Sequence, residues 1–147
     1  MTAADLKSFA LLAEFNEEDR EALFELLEPK TLGKGRSIFR EGTEADGLVF
    51  LVSGRLVLCS KRWPEDAIAG EGTVLGGLSL FAVGPREVTA KAEVPCDILQ
   101  LPRTSFRRLV EDAPRAACRL AEALAKELAD DAREALDAMV VGVVKTA

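Results

Sequence analysis

The feature that most constrains this chain is a change of apolar period through its middle. Between residues 30 and 102 the apolar residues come in short runs, at 37–40, 48–52, 55–59, 88–92 and 97–101. Turn signals separate them at Gly33-Lys34-Gly35, Gly42, Asp46-Gly47, Ser53-Gly54, Gly70-Glu71-Gly72 and Gly76-Gly77. Many short runs with regular turns predict the strands of a β-sandwich or barrel. Asp46-Gly47 and Ser53-Gly54 predict tight turns, because glycine accepts a positive φ. Residues 61–66 predict an exposed hairpin tip, with Trp63 in local packing.

A helical period flanks this middle on both sides. Residues 3–28 read as helical, with Ala10, Leu11, Leu12 and Phe15 as one apolar cluster. Asn16 predicts an N-cap, followed by acids in the first turn, and Pro29 ends the run. After Pro102, Thr104 or Ser105 is expected to cap a short helix carrying Phe106, Leu109 and Val110. Pro114 suits the first turn of a long last helix. There Ala117, Leu120, Leu124, Leu128, Ala132, Ala135 and Met139 share one face at a 3.6-residue period. Eight acids and four bases between 111 and 138 occupy the other faces. The expected order is N-terminal helices over 1–29, a β-structure over 30–102 and C-terminal helices over 103–147, together one mainly β domain with flanking helices.

Charge and composition narrow the function. The net charge is −6 and the pI about 4.8, so nucleic acid, which is bound chiefly through Lys and Arg, is not an expected partner. An anionic membrane surface would repel the chain equally. No apolar run approaches the length of a membrane span, and the first residues, MTAADLKSF, lack the pattern of a signal peptide. Three cysteines, Cys59, Cys96 and Cys118, without CxxC spacing, fit thiols of a reducing cytoplasm. There is no histidine, which removes the commonest general base and metal ligand. No Ser/His/Asp set, P-loop or GxGxxG is present, and the acids show no metal-ligand spacing. Neither catalysis nor a metal is expected, and no cofactor is implied.

The segment 76–92, GGLSLFAVGPREVTAKA, has the layout of a loop around an anion. A glycine pair opens it, an apolar turn follows, and Pro85-Arg86 places a guanidinium before a strand. Together with Lys34-Gly35, Ile38-Phe39, Glu41-Gly42, Asp46-Gly47, the run from Leu48 to Leu56, Gly70-Glu71-Gly72, Leu75-Gly76, Leu78, Leu80 and Thr89-Ala90-Lys91-Ala92, it resembles the cyclic nucleotide-binding domain of the cyclic-AMP receptor protein family and of kinase regulatory subunits. The resemblance spans residues 8–128. It implies a double-stranded β-helix of jelly-roll type (a β-roll) with N-terminal helices and a long C-terminal helix.

The resemblance also implies a phosphate-binding cassette, here Gly76, Gly77, Leu78, Ser79, Arg86, Glu87, Val88 and Thr89. In the family one arginine neutralises the cyclic phosphate, and Arg86 holds its place. The family's glutamate, which accepts from the ribose hydroxyl, is replaced by Gly77. The small residue after the arginine is replaced by Glu87. Thr89 falls where some members contact the base. A hydrogen bond to a charged group is worth about 1.5–3 kcal/mol, so the loss at Gly77 predicts about 10- to 150-fold weaker binding. A carboxylate about 5 Å from a phosphate adds about 3 kcal/mol of repulsion at an effective dielectric near 20. Ordinary cyclic AMP or cyclic GMP is therefore expected to bind weakly or not at all.

The stripe Ala117, Leu120, Leu124, Leu128 and Met139 has two readings, a homodimer interface or a cover for the chain's own barrel. A helix of about 35 Å would overhang the β-structure, which favours the dimer. The family's receptor members carry a helix-turn-helix after this helix, and none is evident in these 147 residues. The expected function is a non-enzymatic regulatory module with a divergent pocket, acting through dimerisation, a protein partner or another small anion. The alternative is a true cyclic nucleotide sensor that uses Arg86 and backbone amides.

Overall fold

In a computed structural model, the backbone is described for residues 1–146, and side chains for all but Leu78 and residues 141–147. Eight strands follow one another: β1 (Glu28–Leu32), β2 (Ser37–Phe39), β3 (Leu48–Ser53), β4 (Leu56–Cys59), β5 (Ala67–Ala69), β6 (Val74–Leu75), β7 (Thr89–Ala92) and β8 (Cys96–Leu101). They form two antiparallel four-stranded sheets, ordered β1-β8-β3-β6 and β2-β7-β4-β5. This is a β-roll with N-terminal helices and a long C-terminal helix. The Ser53-Gly54 turn carries the chain from the first sheet to the second, with Gly54 at φ +101.

The first sheet lies in the middle of three layers, and β3 shows why. Leu48 and Phe50 join the core under the helices, while Val49 and Leu51 join the core between the sheets. A strand covered on both faces needs apolar residues at every position, so 48–51 is a continuous apolar run rather than an alternating one. Phe50 meets Phe9 edge-on at 5.2 Å between ring centroids. The second sheet turns its outer face to solvent, where Lys91 and Ile68 are exposed.

Three short strands escape the sequence pattern: β1, β5 and β6. β1 reads Glu-Pro-Lys-Thr-Leu and buries only Leu32. It pairs with β8 alone, and an edge strand is where a proline is tolerated. The N-terminal region is also less helical than expected. It comprises two 3₁₀ turns, at Ala3–Ser8 and Ala10–Leu12, and one helix, α1 (Glu17–Leu26). Asn16 caps α1 as predicted: its side chain accepts from the Asp19 amide at 2.8 Å, and Asp19 accepts from the Asn16 amide at 3.1 Å. Trp63 is half exposed in the β4–β5 connection.

Two corrections concern the last helices. α2 (Arg103–Asp112) has Pro102 at its N-cap and no side-chain cap. Thr104 and Ser105 therefore lie inside its first turn, because Pro102 already supplies the extended backbone that starts the helix. α3 (Pro114–Thr146) has 33 residues, about 50 Å at 1.5 Å per residue, longer than expected. Ala117, Leu120 and Leu124 of its stripe are buried with Leu6, Leu12 and Leu23 in the chain's own core. They are not a surface for a second copy, since the N-terminal turns and α1 already cover them. Leu128 is half buried and Met139 is exposed. Val141 to Val144 lie outside the described side chains. Among the described residues no helix is long and apolar enough to cross a membrane.

Candidate functional site

The cassette segment connects β6 to β7, and backbone bonds anchor its far end. The Arg86 amide donates to Thr43 O at 2.8 Å, the Gly42 amide to Arg86 O at 2.9 Å and the Ala45 amide to Gly84 O at 2.9 Å. At its near end Gly76 is left-handed, with φ +89, and opens a 3₁₀ turn at Gly77–Ser79. Ser79 at its end and Leu80 after it are buried, and Leu80 enters the core shared with the helices.

Arg86 crosses the base of this loop. It is only 7% exposed. Its Nη1 donates to Gly47 O at 3.3 Å, and its guanidinium carbon lies 4.2 Å from the centroid of the Phe39 ring. Both contacts suit a planar cation, which can offer an edge to a carbonyl and a face to an aromatic ring. Burial pulls the guanidinium below its ordinary pKa, while the charges of Glu87 and Asp46 push it back. It remains a cation. Among the described residues Arg86 makes no ion pair. It reaches the underside of Gly76, where a Cβ would stand 2.5 Å from Arg86 Nη1 and 2.5 Å from Gly47 O. That close approach, with the positive φ, is why position 76 needs glycine.

Glu87 goes elsewhere. It is exposed and lines a cavity of about 510 Å³ between the cassette and α3, together with Leu75, Gly76, Gly77, Leu124, Glu127, Leu128 and Asp131. Glu87, Glu127 and Asp131 supply its charge, and Arg86 is not among its lining residues. Burial, and then the neighbouring Asp131, raise the Glu127 carboxyl above its ordinary pKa. A Cβ at Gly77 would touch Leu124 Cδ2 at 3.5 Å, so α3 lies against the position where a cassette side chain would otherwise project. Among the described residues no group of three or more Cys, Asp or Glu could hold a metal ion.

The cassette residues thus divide. Gly76 and Arg86 touch, and Gly77 and Glu87 share the cavity. Thr89 is engaged elsewhere, its Oγ1 accepting from the Glu41 amide at 2.9 Å. Val88 is half buried, and the Leu78 side chain lies outside the described residues. Glu127, Asp131 and Phe39 were not predicted. The two acids had a usable signal, each standing three residues after a leucine of the α3 stripe, which puts it on the edge of the same face. Phe39 had none, since its contact with Arg86 joins residues 47 apart in the chain.

A family model described as "Cyclic nucleotide-binding domain" matches residues 29–113. The chain belongs to that family. A "CRP-like cAMP-activated global transcriptional regulator" of Mycobacterium tuberculosis is 29% identical over 112 residues, covering 73% of this chain and 50% of that protein. The chain therefore spans half the length of that relative. Among solved structures, the N-terminal domain of a transcriptional regulator from Streptomyces coelicolor A3(2) matches with a TM-score of 0.76 and 27% identity, covering 86% of this chain and 94% of that one. A cyclic nucleotide-binding-like protein from Brucella abortus matches with a TM-score of 0.64 and 29% identity, covering 75% and 97%.

Proposed function

We propose that this cyclic nucleotide-binding domain is a non-enzymatic regulatory module whose pocket has lost affinity for cyclic AMP and cyclic GMP. One observation carries the reading: the cavity beside Gly76-Gly77 is lined by three carboxylates, while Arg86 turns away from it onto Phe39 and Gly47. A nucleotide phosphate entering there would meet Glu87, Glu127 and Asp131 before any cation. Each like charge at about 5 Å costs about 3 kcal/mol at an effective dielectric near 20, and less where water screens it. Gly77 offers no carboxylate to a ribose hydroxyl. Output then passes through a second copy or a protein partner, with the projecting half of α3 as the contact surface.

One observation favours the alternative, a true cyclic nucleotide sensor. Arg86 is a buried cation with no ion pair among the described residues, and a bound phosphate would supply the missing charge. The M. tuberculosis relative is a cAMP-activated regulator, which points the same way. Isothermal titration with cyclic AMP and cyclic GMP separates the two. The expected result is no saturable heat at micromolar nucleotide, and a low-micromolar or tighter constant for either would establish the sensor.

A further inference from the structure

We infer that Arg86 is an internal latch, tying both ends of the cassette to Phe39 and Gly47 so that these contacts by themselves hold the shape of the loop. The main chain and side chain of Arg86 reach both ends of the loop and both sheets. Backbone bonds to Gly42 and Thr43 anchor Arg86 at the end of the loop. Its side chain returns under Gly76 at the start of the loop, where Nη1 and Gly47 O leave no room for a Cβ. The Phe39 ring, 4.2 Å away, belongs to β2 of the second sheet. Gly47 precedes β3 of the first sheet. One side chain therefore joins the two sheets and the two ends of the loop.

A cation over an aromatic face gains strength when water is excluded, and Arg86 is buried. The π-face and the carbonyl offset part of the cost of burying the guanidinium and leave its charge unpaired. These two contacts hold the guanidinium against Phe39 and Gly47, and a phosphate could use only the N–H groups they leave free. The latch rests on the reading of the cavity above, because it keeps the arginine out of that cavity.

Hydrogen-exchange mass spectrometry of the full chain tests the latch. In the wild type, amides of 76–84 should be protected without ligand, and millimolar cyclic AMP should leave them unchanged. Phe39→Leu, which keeps apolar bulk but loses the ring face, and Arg86→Met should each speed exchange in 76–84 about tenfold or more. Exchange in β3 and β8 should change less. Phe39→Trp should restore protection, and Phe39→Leu should add nothing at the cassette in the Arg86→Met background. An Arg86→Met protein whose cassette exchanges as slowly as the wild type would overturn the latch. So would additive effects of the two substitutions. The titration above fails independently: tight nucleotide binding with Phe39–Arg86 coupling intact would refute the weak pocket and leave the latch, whereas no binding and no coupling would do the reverse.

Discussion

At the scale of single residues, two adjacent glycines have different reasons to be glycine. Gly76 has a positive φ, and a Cβ there would strike both Arg86 Nη1 and Gly47 O. Gly77 has neither restriction, since a Cβ would make only ordinary contact with Leu124. Gly76→Ala should therefore destabilise the protein by about 3 kcal/mol, combining left-handed strain with displacement of backbone. Gly77→Ala should stay within about 0.5 kcal/mol of the wild type. Denaturant unfolding of the two variants measures the difference, and equal losses would show that the loop relaxes around Gly76. The glycine pair was legible as a turn in the sequence. Which of the two carries the constraint was not, because that depends on an arginine ten residues away returning to the same point.

At the scale of elements, the meeting of α3 with the cassette decides the character of the cavity. Glu127 and Asp131 are one helical turn apart, and like charges at that spacing repel by about 0.2–0.5 kcal/mol. The Glu127 carboxyl is raised above its ordinary pKa, so the folded state holds its proton more tightly than the unfolded chain. Its stabilising effect is whole below the ordinary carboxylate pKa and is lost as the pH rises through the raised one. Glu127→Gln should accordingly stabilise the protein slightly at neutral pH, and the gain should vanish below about pH 4. Thermal melting across that range measures it, and a gain independent of pH would point to packing instead. The acids of α3 were visible in the sequence as a polar face. Their placement over Gly77 was not, since it follows from how Leu120 and Leu124 seat the helix on the core. Conversely, the Asn16 cap and the start of α3 at Pro114 were legible, because each rests on bonds or torsions within one turn.

At the scale of the whole molecule, α3 continues past the β-roll that seats its first half. Leu136, Met139 and Val140 are 58%, 66% and 61% exposed, and apolar residues left in water on a projecting helix suit a partner helix. We expect the wild type to be a dimer by light scattering at tens of micromolar, and Leu136→Glu with Met139→Glu to be a monomer with unchanged circular dichroism. A monomeric wild type would remove self-association from the functional reading. The sequence alone determined the order of helices and strands and the positive-φ bends at Gly47 and Gly54, because periodicity and local torsion preferences are written residue by residue, while the β-roll was legible through the family resemblance. Only the tertiary structure decided that Arg86 faces Phe39 and Gly47, that Glu127 and Asp131 join Glu87 around the cavity, and that half the α3 stripe serves the chain's own core. Those contacts join residues dozens of positions apart, and burial, which sets both their charge balance and their strength, exists only once the sheets and helices have packed.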